Sequence, residues 1–216
     1  MEFPKRILEH WPDSGDGMEF KLVFKGTLPS ERRAGVEIKH NVRRVLHPQL
    51  RTLWQQDPAL RGAFDPKLNM RTKGQLSRVE ELATDNAKYG FRFVPLVKKN
   101  DFACALDITL LLRKEPFRVF EAKERHDLDN RIKTLVDGLR MPDQSSEITG
   151  ESPSMDENPF FVLMDDDSAI FEFQVRAQRL LIPPDAGESE RDVIALIGVR
   201  VTTLAGNPIA YMCGEF

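Results

Sequence analysis

Between Ala103 and Leu112 the chain alternates without a break. Cys104, Leu106, Ile108, Leu110 and Leu112 fall on one side, and Ala105, Asp107 and Thr109 on the other. A period of two belongs to a half-buried β-strand, so the fold has to supply a sheet and an apolar layer to cover it. Further strands are read at Met18–Phe24, at Tyr89–Val97 with Phe91, Phe93 and Val97 as anchors, and at Arg191–Leu204. Phe160–Met164 and Ser168–Leu180 read as a strand pair or one bent strand, with Phe171, Phe173, Val175 and Ala177 facing the core. Helical spacing governs Val36–Gln56, where Val42, Leu46, Leu50 and Leu53 share a face and Pro48 interrupts. It governs Asn130–Arg140 as well, through Ile132, Leu135, Val136 and Leu139, with Asp129 as N-cap and Pro142 beyond the end. The order of elements predicts an α/β or α+β domain, a mixed sheet with helices packed on it. Residues 57–90 and 141–160 lack a period and are expected to be insertions or mobile segments, with short helices or a loop that orders on binding as the two readings of Gln55–Ala87.

No apolar run reaches the roughly 18 residues of a membrane helix. The first residues carry no apolar block of the kind a secretory signal needs, and two cysteines make no disulfide framework. A soluble cytoplasmic protein is expected, with no membrane partner. The net charge of −3 conceals an asymmetry. Residues 31–78 hold eleven basic and four acidic side chains, net +7, whereas 143–190 hold two basic and twelve acidic, net −10. Two readings stay open: a basic surface for a polyanion beside an acidic centre, or two faces of opposite sign that attract each other.

Two short stretches concentrate chemistry. One is His126-Asp127-Leu128-Asp129-Asn130-Arg131-Ile132-Lys133, running on to Asp137; the other is Asp165-Asp166-Asp167-Ser168, after an apolar run. An extended approach to the helix would set Asp127 and Asp129 on one side. Lys133 and Asp137 then follow Asp129 at four-residue steps along one helix face. Converging carboxylates need a cation between them, and hard oxygen ligands in small number suit Mg²⁺. If Asp167 meets Asp127 and Asp129, the three could share one ion, and Lys133 could orient a nucleophile or neutralise developing charge. The plainer alternatives are an N-cap at Asp129, its i+4 partner at Lys133, and a solvated turn at 165–167.

Together these residues resemble the RusA family of Holliday-junction resolvases. That family's pattern is Asp-x-Asp-Asn leading into a helix with Lys, then Asp-Ala-Leu, then an Asp-Asp pair at a strand. Here the sequence reads Asp127-Leu-Asp129-Asn130-Arg-Ile-Lys133-Thr-Leu-Val-Asp137-Gly-Leu139, and later Asp166-Asp167-Ser168-Ala-Ile170. Gly138 stands where the family usually has Ala. The resemblance is tight over 127–180 and loose over 18–56 and 103–114. It implies a single RusA-like domain and a homodimeric, Mg²⁺-dependent endonuclease (Mn²⁺ substituting) that cuts branched DNA by paired phosphodiester hydrolysis. It implies metal ligands at Asp127, Asp129 and Asp167, catalytic roles for Lys133, Asp129 and Asp167, and accessory positions at Asp166, Asp137 and Asn130. A catalytically silent DNA- or protein-binding module on the same scaffold is the alternative.

The basic stretch supplies the DNA-contact candidates Arg32, Arg33, Arg43, Arg44, Arg51, Arg71 and Lys73, which would bind phosphates without reading sequence. His40 and His47, seven apart in the same helix, read as surface residues beside Arg43, Arg44 and Arg51. His126 reads as a partly exposed neutral residue, and Trp54 as a core or interface side chain rather than a base-stacking one.

Overall fold

The computed structural model describes residues 17–29, 35–113, 122–150, 152–181 and 192–204, with side chains from Leu128 onward in the third helix. The alternating run does become a strand at the heart of a sheet. Strand β1 (Met18–Thr27) pairs antiparallel with β7 (Asp192–Thr203), β7 antiparallel with β4 (Phe102–Leu112), and β4 parallel with β6 (Ile170–Arg179). The order is β1-β7-β4-β6. Alternate residues point inward as the period requires: Leu22 and Phe24, Cys104 to Leu110, and Val193 to Val201 are buried on one face. A smaller sheet holds β2 (Ala87–Lys88), β3 (Phe91–Val97) and β5 (Phe160–Met164), with β3 and β5 parallel. All five residues of β5 are buried, so this strand is covered on both faces, which is why it reads as a continuous apolar run. Among the described residues three helices and two sheets make the architecture α+β. Among the described residues no helix is long and apolar enough to cross a membrane.

Helix α1 (Val36–Gln56) buries Val42, Leu46, Leu50 and Trp54 at four-residue steps, and packs on α3, β5 and β1. It runs unbroken through Pro48, where an interruption was expected. Proline removes one backbone bond, but residues buried on both sides of it hold the two halves in line. Helix α3 spans Ala122–Leu139, eight residues longer at its start than its apolar stripe predicts. Its first turns, Ala-Lys-Glu-Arg-His, are helix-favouring but polar all round, so periodicity gives no signal there. Where α3 passes α1 the approach is close. A Cβ on Gly138 would lie 2.5 Å from Cβ of Val42 and collide with Val42 Cγ1.

The two aperiodic segments are folded. Residues 57–90 form three single 3₁₀ turns (Arg61–Phe64, Pro66–Leu68, Met70–Thr72) and helix α2 (Arg78–Asp85), burying Leu60, Ala63, Val79, Leu82 and Ala83. Polar side chains fix the turns. Asp65 and Asn69 cap the second and third, Ser77 caps α2, and buried Asn69 donates to Leu76 O and to Glu81 Oε2, both at 3.0 Å. Residues 141–160 place Met141 and Ile148 in a second apolar cluster with Phe91, Phe93, Phe160 and Val162. Two further expectations are corrected. Strands β5 and β6 do not pair; they lie in different sheets, separated by the turn Asp165–Ala169. Phe171 and Phe173 are 41% and 45% exposed, because β6 is an edge strand that the helices do not cover.

Candidate functional site

Strands β3 and β5 run parallel, so their carboxyl ends open at the same edge of the small sheet, the place where open α/β sheets hold ligands. The acidic triplet follows β5 there and faces the end of β3. The N–H of Asp165 donates to Val97 O at 3.0 Å, and the N–H of Lys99 donates to Asp165 Oδ1 at 3.0 Å. Lys99 Nζ lies 2.9 Å from Asp166 Oδ2, while Asp166 Oδ1 accepts from the Ser168 N–H at 2.9 Å. Asp166 thus caps the turn Asp167–Ala169. The Ser168 hydroxyl, Lys99 and the Ser168 amide hold its carboxyl well below the usual carboxylate range, and Asp166 in return raises the Lys99 ammonium. Asp167 is different. It is exposed, and among the described residues no hydrogen bond or ion pair ties down its side chain.

The same division separates the acidic residues of α3. Asp129 and Lys133 are exposed, one turn apart on one face, with side chains unengaged among the described residues. Asp137, one turn further, is buried. Its Oδ2 lies 2.6 Å from Lys39 Nζ and its Oδ1 3.3 Å from Arg140 Nη2. The expected polar stripe therefore breaks after Lys133, and Asp137 serves as a structural counter-ion rather than an accessory ligand. Asn130 is half-buried, and its backbone carbonyl accepts from Thr134 Oγ1 at 2.8 Å. Asp127 lies within α3, not on an extended approach. Positions two apart on an α-helix stand about 200° apart around its axis, so the expectation of one shared side for Asp127 and Asp129 is withdrawn. The side chains of Asp127 and His126 lie outside the described residues. Among the described residues no three His, Cys, Asp or Glu side chains gather to hold a metal. Asp129 and Asp167 have the right donor chemistry for a hard cation, but the described residues alone do not assemble its cage.

The basic stretch meets the acidic one through Arg43, Arg44 and Arg51, so mutual attraction accounts for part of the charge asymmetry. Arg43 is buried, not a phosphate contact. Its guanidinium donates to Arg140 O (3.0 Å), Glu147 O (2.9 Å), Asp137 O (2.8 Å) and Glu147 Oε2 (3.0 Å). Burial lowers its pKa, while Glu147 opposes that shift. Arg44 pairs with Glu157 at 2.7 Å, Arg51 reaches Asp156 at 4.0 Å, and Arg140 meets Asp143 and Glu147 at 2.9 and 3.2 Å. Arg71 pairs with Glu81 at 3.1 Å but keeps most of its surface exposed. Lys73 is exposed, at a left-handed turn position. Arg32 and Arg33 lie outside the described residues. Sequence reasoning missed Lys39, Glu147 and Glu157 as partners, since separations of about a hundred residues leave no local signal.

The two histidines of α1 are buried, which corrects their surface reading. His47 Nδ1 accepts from the Phe161 N–H at 2.8 Å, and its Nε2–H donates to Asp156 O at 2.9 Å. Two partners of opposite kind fix a neutral ring, and burial lowers its pKa. His40 packs against Phe91 and Phe160. Trp54 is fully buried near Phe161, as a core residue.

No protein-family model, no curated protein and no solved structure matches the chain.

Proposed function

We propose that the chain is a cytoplasmic, Mg²⁺-dependent, structure-selective DNA endonuclease of RusA-like type, acting on four-way junctions as a homodimer. One observation carries this reading. Of the acidic and basic positions matching the family pattern, Asp137 and Asp166 are taken up by structural contacts, whereas Asp129, Lys133 and Asp167 stand exposed and unengaged among the described residues. Desolvated carboxylates left without partners would be costly, but exposed ones are available for a ligand. A bound Mg²⁺ would neutralise charge on the scissile phosphate and activate a water. Asp129 and Asp167 would hold it. Lys133 would place its ammonium beside the oxygen on which charge develops. Because α1 spends its arginines on the acidic segment, DNA contact would fall to exposed cations such as Lys73, Arg71 and Lys133.

The test is cleavage of an end-labelled four-way junction with Mg²⁺ or Mn²⁺, beside linear duplex and flap controls. Paired symmetric nicks in the junction alone are expected. Asp129→Asn and Asp167→Asn should each abolish cleavage and leave the melting temperature unchanged, since both side chains are exposed. Retained cleavage in either variant removes that residue from the mechanism. A silent DNA- or protein-binding module on the same scaffold is the second reading. Folded protein that binds junctions, takes up no Mn²⁺ by calorimetry and cuts nothing would establish it.

A further inference from the structure

Asp165, Asp166 and Asp167 follow β5 in a row, and one residue of another loop engages the first two of them. That residue is Lys99, in the short connection from β3 to β4. Val97 before it pairs with Met164, and Lys98 O accepts from the N–H groups of Asp101 and Phe102 at 2.9 and 2.8 Å, so the turn is fixed at both ends. From this turn the Lys99 N–H donates to Asp165 Oδ1 at 3.0 Å, and the Lys99 ammonium donates to Asp166 Oδ2 at 2.9 Å. The other oxygen of Asp166 accepts from the Ser168 N–H at 2.9 Å and from the Ser168 hydroxyl. Asp166 therefore has both oxygens occupied and its charge matched, whereas Asp167 keeps both oxygens unengaged among the described residues.

Stability does not account for this arrangement. The side chains of Lys99 and Asp166 are 44% and 34% exposed, and ion pairs that open to solvent add little to folding. What the ammonium alters is the charge of the turn. Affinity for a hard divalent cation rises with the number of carboxylates free to ligate it. A fixed ammonium among those carboxylates removes one ligand and repels the incoming ion. The turn is then left to offer one carboxylate, and α3 offers Asp129. So few protein ligands leave most positions around a Mg²⁺ ion to water and to phosphate oxygens, as phosphodiester hydrolysis needs. A freed Asp166 would take a position that the substrate requires.

We propose that Lys99 is a positioning residue of the candidate site: its ammonium withholds Asp166 from the metal ion, so that the turn after β5 presents Asp167 alone. This rests on the ligand role that the proposed function gives Asp167, but its readout is metal uptake rather than cleavage. The test titrates Mn²⁺ alone, by calorimetry, into the full chain and its variants. Lys99→Met keeps the aliphatic stem, drops the charge, and should bind Mn²⁺ about tenfold more tightly than the unaltered chain. Lys99→Arg keeps the charge and should bind as the unaltered chain does. Asp166→Asn placed in the Lys99→Met background should return the affinity to its starting value, because the amide still accepts from Ser168 but carries no charge for the ion. Melting temperatures should not change, since the pair is exposed. A lysine with a merely structural role would weaken Mn²⁺ binding when removed. Unchanged or weaker binding in Lys99→Met overturns the proposal, as does a gain that Asp166→Asn fails to reverse; junction cleavage by the unaltered chain would leave the nuclease standing in either case. Uptake by Lys99→Met but not by the unaltered chain upholds the role of Lys99 and refutes the metal-dependent nuclease, and uptake by neither overturns both.

Discussion

Replacing Arg43 with alanine separates two roles that the sequence leaves open for this residue. In the structure its guanidinium makes four hydrogen bonds at 2.8–3.0 Å, three of them to backbone carbonyls. Two of those carbonyls, Asp137 O and Arg140 O, lie in and just past the last turn of α3, where helical partners run out. Truncation leaves them without a donor and leaves Glu147 with Arg140 alone, at 3.2 Å. Removing one partner of a buried ion pair costs about 3–5 kcal/mol. At roughly 2–4 °C per kcal/mol for a chain of this size, the melting temperature should fall by about 10 °C. Arg43→Lys should recover only part of that, because an ammonium cannot span three carbonyls. Arg51→Ala provides the control: an exposed residue with a 4.0 Å contact should cost under about 0.5 kcal/mol. The assay is urea and thermal unfolding followed by circular dichroism. A change below about 1 kcal/mol in Arg43→Ala, together with weakened DNA binding, would refute the buried role and restore Arg43 to a DNA surface.

Three other outcomes follow from particular contacts. The His47 ring is neutral in the fold and its pKa lies below the unfolded value near 6.5, so the unfolded chain takes up the proton first. Its contribution is complete above pH 6.5 and falls away as pH drops below that, and His47→Gln should flatten this part of a stability profile measured from pH 8 to 5. Gly138→Ala, although it improves helix propensity, should destabilise by about 1–3 kcal/mol because of Val42, and Val42→Ala should rescue it in a melting experiment. Cys104 should resist a thiol reagent in the native protein and react only on unfolding, since burial keeps its thiol protonated.

What the sequence conveyed depended on whether an element is stabilised locally. Strands β1, β3, β4 and β7 were legible because each alternates or forms an apolar run of its own. The first eight residues of α3 were not, since a polar stretch held by the rest of its helix has no period to detect. Residues 57–90, open between short helices and a loop, and 141–160 lacked a readable period for a related reason. Asn69 and Glu81 order the first through a buried hydrogen bond, and Arg43, Arg44 and His47 order the second across more than a hundred residues. In the candidate site the motif residues were readable, but not the distinction between them. Nothing in the string Asp-x-x-x-Lys-x-x-x-Asp reveals that Lys39 and Arg140 claim only the last carboxylate.

The pairing of α1 with the acidic segment also constrains how a chain of this kind can change over time. Arg43 with Glu147 holds opposite charges at a site with little access to water, and Arg44 with Glu157 does so at a half-buried one. A sign reversal at either member strands its partner, so tolerated change passes through both positions or neither. Across any set of diverged sequences, 43 should therefore covary with 147 and 44 with 157, while Lys73, bound to no such partner, is left to drift.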